Sequence, residues 1–215
     1  MLKRSCLWLI ALLVLLFLQA CDDDQKQIYL YDQYYYGMTK DQVRELATVS
    51  PCQDNLNDLC RHNTVPFFRE TWYERFLFRH DRLVGVQLAH TDQKKATKLI
   101  NSWLDSGYRY MPVAVISAGQ ELDLFAEIKF AGKEGARQAV NRFTKATARD
   151  LQTTYLYLDL TGREEILNQF SSFHDILARA PRDIIGIEQI VNERFVIINF
   201  IAPIAEWQDR MGRKQ

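Results

Sequence analysis

The chain has 215 residues, its 27 Lys and Arg balance 27 Asp and Glu, and 47% of it is hydrophobic with only 9 Gly and 5 Pro. That composition excludes a disordered chain, a collagen-like repeat and a disulfide-dense miniprotein. Zero net charge removes the usual electrostatic footprint of a nucleic-acid binder, so no nucleic-acid partner is expected.

Residues 1–20 differ from all that follows. Lys3 and Arg4 make a short basic start, and an uncharged apolar run of 13 residues extends from Cys6 to Leu18. A spanning helix needs about 20 apolar residues, so the run fits the core of a secretory signal better than a permanent span. It ends in Leu18-Gln19-Ala20-Cys21, then Asp22-Asp23-Asp24. The four residues up to Cys21 resemble the lipobox of bacterial lipoproteins. The resemblance implies cleavage before Cys21, a thioether-linked diacylglyceryl group on its thiol (palmitate is the typical chain), and acylation of the new amine. Asp22, reinforced by Asp23, resembles the enterobacterial signal that retains lipoproteins at the inner membrane. The implied location is its periplasmic face, with the outer membrane as the alternative. Cleavage would leave 25 basic against 27 acidic residues, a net charge of −2, so the lipid rather than charge must anchor the chain. No cofactor is expected beyond that covalent lipid.

Two cysteines then remain, Cys52 and Cys60. An even pair in an oxidising compartment reads as a disulfide. A metal site using both thiols with His62 lacks a fourth ligand and the usual paired spacing, so no metal is expected.

Residues 21–36 read as a tether ending in an aromatic patch of Tyr29, Tyr31, Tyr34, Tyr35 and Tyr36. These rings suit either the membrane interface or packing against the domain. A dense helix start follows: Thr39 as cap with Gln42 at N3, and Met38 and Val43 as the hydrophobic staple. Pro51 closes that helix region and the Cys52–Cys60 loop follows. Trp72, Phe76 and Phe78 share a parity interrupted by Glu74, His80-Asp81-Arg82 makes a turn, and Val84, Val86 and Leu88 alternate, so 66–89 reads as strands.

The Gly37-Met38-Thr39…Val43 start, the Pro-bounded loop, Trp72-Tyr73 and the closing Asp81-Arg82-Leu83-Val84 together resemble the SmpA/OmlA (BamE-type) small lipoprotein domain, over about residues 35–90. The resemblance implies a small α/β unit, spanning 37–90 of this chain, that acts by protein–protein contact in envelope assembly rather than by catalysis. The Asp22 signal and the further region 91–215 depart from that family's pattern.

In that region Ala96, Leu99, Ile100, Trp103 and Leu104 have helical spacing, and Gly107 sits at the stop. Val113–Ile116 reads as a strand, Gly119-Gln120 as a hairpin turn, and the alternation Leu122, Leu124, Ala126, Ile128, Phe130 as a second strand. Ala136, Ala139, Val140 and Phe143 share a helical face. Leu156, Leu158 and Leu160 alternate with Tyr155 and Tyr157. Thr161-Gly162-Arg163-Glu164 reads as a second capping box, opening one helix striped by Ile166, Leu167, Phe170, Phe173 and Leu177. A hairpin through Asn192-Glu193 joins 184–191 to 195–201; the latter is apolar on both parities, as a central strand should be. A short helix closes 203–211. The pattern predicts an α+β fold of mainly antiparallel sheet with helices packed on it, the second region running α-β-β-α-β-α-β-β-α with a ferredoxin-like split βαβ order. Whether one sheet or two serves 37–90 and 91–215 is left open.

No nucleotide, nucleophile-elbow or zinc-protease motif occurs, and of His62, His80, His90 and His174 the last three have structural explanations in a turn, a strand-to-helix junction and a helix margin. The expectation is a non-enzymatic, membrane-anchored protein that contacts another envelope protein. Tyr34, Tyr35, Tyr36, Tyr155 and Tyr157 are the candidate surface. A ligand- or peptide-binding sensor is the alternative, and a hydrolase the third reading.

Overall fold

A computed structural model describes residues 26–106, 109–147, 152–163 and 165–212. The lipobox, Cys21, Asp22 and Asp23, together with Gly107 and Glu164, lie outside the described residues.

The chain begins with a hairpin of β1 (Tyr29–Tyr31) and β2 (Tyr34–Tyr35). Helix α1 (Lys40–Leu46) starts where the sequence places it: the Gln42 N–H donates to Thr39 Oγ1 at 3.2 Å and the Thr39 N–H to Gln42 Oε1 at 2.8 Å. Met38 and Val43 are both buried. Short strands β3 (Val49–Pro51), β4 (Leu59–Arg61) and β5 (Val65–Phe67) lead to the long hairpin β6 (Glu70–Arg79) and β7 (Arg82–His90). Helix α2 (Gln93–Ser106), β8 (Tyr110–Ser117), β9 (Gln120–Asp123) and α3 (Leu124–Ala146) come next. They are followed by β10 (Gln152–Asp159), α4 (Ile166–Gln169), α5 (Phe173–Arg179), β11 (Gly186–Asn192), β12 (Val196–Ile201) and α6 (Pro203–Gly212).

One sheet runs in the order β3-β4-β6-β7-β12-β11-β10-β8-β9, with every neighbouring pair antiparallel and β5 added against β6. The α+β class and its helices on an antiparallel sheet are as the sequence predicts. Pairing of β7 with β12 carries the sheet across residue 90, so 37–90 and 91–212 share it. The split βαβ order does not form, because the β11–β12 hairpin lies between β7 and β10. β12 is central, as its two-sided apolarity predicts.

Both faces of the sheet are put to use. On one, Val86, Leu88, Ile198 and Phe200 pack with Ala96, Ile100 and Leu104 of α2 and with the N-terminal hairpin. Beside them Val115, Leu122 and Tyr155 meet Ala136, Val140 and Phe143 of α3. On the other face Ala114 and Leu158 pack with α4, α5 and α6 through Ile166, Phe173, Ile176 and Ile204.

Three sequence expectations give way. The alternation at 122–130 is not a strand: β9 stops at Asp123, whose carboxylate accepts the Ala126 N–H at 2.9 Å and caps α3. Leu124 and Phe125 are then buried, while Phe130 is 95% exposed. α3 breaks at Gly132, where φ is +72°, a value that glycine adopts without the clash a Cβ would bring. The helix expected from Thr161 onward is two short ones. Residues 161–162 form a turn in which the Thr161 N–H donates to Asp159 Oδ1, and the second helix is capped by Ser172, whose Oγ accepts the Asp175 N–H at 3.1 Å. Apolar residues of the predicted stripe, Ile166, Phe170, Phe173 and Leu177, are buried all the same. Lastly, the described part of the expected tether is folded. The Tyr36 N–H bonds the Ile28 carbonyl, and the Gly37 and Leu83 N–H groups bond the Leu83 and Met38 carbonyls, each at 2.8 Å.

Candidate functional site

The Cys52 and Cys60 sulfurs are bonded at 2.03 Å, with their Cα atoms 5.1 Å apart. The bridge closes the loop from β3 to β4 at the sheet's edge. Within that loop buried Asp58 accepts from Arg75 Nη2 at 2.7 Å, Arg75 Nε at 3.0 Å and the Phe78 N–H at 2.9 Å. A disulfide and a buried ion pair therefore fasten the same edge.

Of the five candidate surface tyrosines, Tyr34 is corrected outright. It is 1% exposed, with its ring 4.6 Å from that of Phe76. The hairpin turns it inward, as it does Tyr31, which stacks on Phe200 at 4.6 Å. Tyr35 and Tyr36 are half-buried, and the Tyr36 hydroxyl donates to Asp209 at 2.9 Å. Burial and that carboxylate together hold the Tyr36 phenol far above its ordinary range. Tyr31, Tyr34, Tyr35 and Tyr36 pack against the domain, while Tyr29 of the same predicted patch is 53% exposed.

Beside this segment lies a groove of about 800 Å³ whose lining begins at Lys26. Arg79, Arg82, Arg182 and Arg210 also line it. Acids offset most of that charge: Glu206 pairs with Arg79 and Arg210, Asp209 with Arg182, and Asp183 with Lys26. Three acids thus face five cations, and the Tyr36–Asp209 bond ties the N-terminal segment to α6 here.

Tyr155 and Tyr157 point to the α2 side of the sheet, where they line a cleft of about 380 Å³ with Asn101 and Gln189. Here the sequence placed both rings correctly on one strand face but could not show that α2 overhangs them. Gln189, 2% exposed, accepts from the Tyr157 hydroxyl at 3.3 Å and donates to Asn101 Oδ1 at 3.2 Å.

On the opposite face, cross-strand register aligns Tyr73, Ala89, Ile197, Ile190, Thr154 and Ile116 in one row. The three isoleucines and Ala89 are half-buried and join none of the hydrophobic clusters above; Tyr73 at the row's end is 62% exposed. A polar row runs alongside, in which Gln87 donates to Asn199 and Asn199 to Glu188. Six strands at about 4.8 Å spacing make this aliphatic row about 24 Å wide. Sequence reasoning missed it, although the outward parity of Ile190 and Ile197 was a usable signal.

Among the described residues no three His, Cys, Asp or Glu side chains gather as a metal site would require. His90 accepts the Asp92 N–H, His174 faces Glu121 at 2.9 Å, and His80 occupies a tight turn. Among the same residues no helix is long and apolar enough to cross a membrane. Comparison with protein-family models, with curated proteins and with solved structures found no match to this chain.

Proposed function

We propose that this protein is a lipoprotein, anchored through Cys21 at the periplasmic face of the inner membrane, that holds another envelope protein against the open face of its sheet. The aliphatic row Ala89–Ile197–Ile190–Ile116 carries the reading. Apolar area left in register across central strands gains about 25 cal/mol for each Å² a partner covers, and this half-buried row, continued by exposed Tyr73, gives a partner a contiguous apolar surface to cover. The lipobox supplies the anchor, Asp22 and Asp23 the inner-membrane preference, and the BamE-type resemblance over 35–90 a precedent for action by contact. Folding of the chain from Lys26 onward supports a fixed orientation. Four residues lie between Cys21 and Lys26, and the five steps reach at most about 18 Å.

Two measurements test this in cells making the full chain. Mass spectrometry of the mature N-terminus should find an acylated cysteine at 21, and Cys21→Ser should release the protein from the membrane fraction. A photo-cross-linking residue at Ile190 or Ile197 should capture one defined envelope protein, while the same probe at exposed Phe130 should not. Capture of nothing from either isoleucine position would refute the contact role. An unprocessed N-terminus would refute the anchor.

A second reading, a ligand-binding sensor, is favoured by one observation: the cleft beneath α2 gathers hydrogen-bonding groups around two aromatic rings.

A further inference from the structure

The cleft between α2 and strands β10 and β11 is lined by rings, amides and hydroxyls from Tyr155, Tyr157, Gln189, Asn101, Thr97 and Thr153, with Leu104 and Val191 as its apolar members, and among the described residues no Asp, Glu, Lys, Arg or His lines it. Its volume of about 380 Å³ falls within the range of small-molecule sites, about 300–1,000 Å³. The phenol of Tyr155 is raised above its ordinary value by burial alone, as expected where no ionised group is near.

We infer that this cleft binds an uncharged saccharide. A charged ligand would exchange its hydration for a site with no countercharge. A purely apolar ligand would cover amides and hydroxyls without giving them hydrogen-bond partners, which costs affinity. An extended peptide adding to the sheet needs a free strand edge, and both strands under the cleft lack one: β10 is paired by β8 and β11, and β11 by β10 and β12. A sugar ring matches what remains. It presents an apolar C–H face to an aromatic ring and a rim of hydroxyls that both donate and accept.

The side chains are pre-arranged for that task. Tyr157 donates to Gln189, and Gln189 donates to Asn101. Asn101, a lining residue whose oxygen accepts from Gln189, has its NH₂ as the donor of that amide. Gln189 is buried and acts as a positioning residue that fixes the Asn101 amide. Tyr155 and Tyr157 bring large amphipathic rings, and Thr97 and Thr153 add hydroxyls at the two walls.

The inference does not rest on the anchoring or contact roles, and it would survive the failure of either. The intact lipidated chain in phosphatidylcholine nanodiscs, or the chain in buffer if it proves unlipidated, is titrated by calorimetry with maltotriose, cellotriose and chitotriose. Glucose 6-phosphate and tetra-alanine amide are the charged and peptide comparisons. At least one trisaccharide should bind with Kd of about 1 mM or tighter, and both comparison ligands should fail. Asn101 is exposed but accepts from buried Gln189, so Asn101→Leu should lower the melting temperature by only about 2–4 °C while weakening the saccharide about tenfold or more. Tyr155→Ala should weaken it to the same degree, with a larger loss of melting temperature because the ring packs against the α3 cluster. Binding unaffected by Asn101→Leu, binding of the peptide amide alone, or no response to any trisaccharide would each overturn the inference.

Discussion

Replacing Tyr34 by alanine takes a fully buried ring out of the contact between the N-terminal hairpin and Phe76 of β6. A tyrosine buries about 150–250 Å², which at about 25 cal/mol per Å² corresponds to about 4–6 kcal/mol. Large-to-small aromatic substitutions in cores cost about 3–5 kcal/mol, so about 4 kcal/mol is expected here. In a chain of this size each kcal/mol lowers the melting temperature by about 2–4 °C, giving a drop of about 8–16 °C. Tyr34→Phe provides the control. The Tyr34 hydroxyl is buried with no hydrogen-bond partner among the described residues, so its deletion should leave stability unchanged or raise it by about 1 kcal/mol. Thermal and urea unfolding followed by circular dichroism measures both variants. A Tyr34→Ala loss below about 1 kcal/mol, well short of the usual core cost, would mean that residues 26–36 are a tether after all. A Tyr34→Phe loss above about 1 kcal/mol, a typical hydrogen bond's net worth, would mean that the hydroxyl has a partner.

Removing the bridge with Cys52→Ala and Cys60→Ala together should cost about 2.6 kcal/mol from loop entropy; urea unfolding with and without reductant should then differ for the parent and not for the double variant. Asp123 accepts N–H groups from both Ala126 and Phe173, so Asp123→Ala uncaps α3 and takes the acceptor of the first N–H from α5, whose Ser172 cap remains. Its expected cost is about 1–3 kcal/mol, and hydrogen exchange should rise at both helix starts; an increase at only one would refute the shared cap. Burial holds the Glu74 carboxyl above its ordinary value, against the opposing pull of Arg61 at 2.7 Å. A raised folded-state value stabilises below the ordinary carboxyl range, and that contribution is lost as pH rises through the folded value. Glu74→Gln should therefore gain on the parent in urea unfolding as pH rises above the ordinary carboxyl range, whereas a gap independent of pH would contradict the burial argument.

Much of this architecture was legible where local chemistry and burial agree. The Thr39–Gln42 box is complete within four residues, so the sequence specified α1 whatever surrounds it. Two-sided apolarity from 195 to 201 required a strand covered on both faces, and β12 is central. The pairing of Cys52 with Cys60 followed from elimination, and the turn at His80-Asp81 joins two strands of the expected parity. Tertiary structure decided the cases in which one pattern served two purposes. From 122 to 130 the apolar residues satisfy a two-residue period, yet Leu124 and Ile128 also share a helical face; the second acceptor role of Asp123, toward Phe173 fifty residues away, helps hold the helical solution. Thr161 and Ser172 both have cap chemistry, and Ser172 prevailed because the turn at 161–162 follows the end of β10 while the stripe beyond it must reach the opposite face of the sheet. Tyr34 and Tyr155 are chemically alike, but one became core and the other part of a cleft wall. The difference arises from which helix or hairpin lies over each ring, a long-range contact that local composition does not encode.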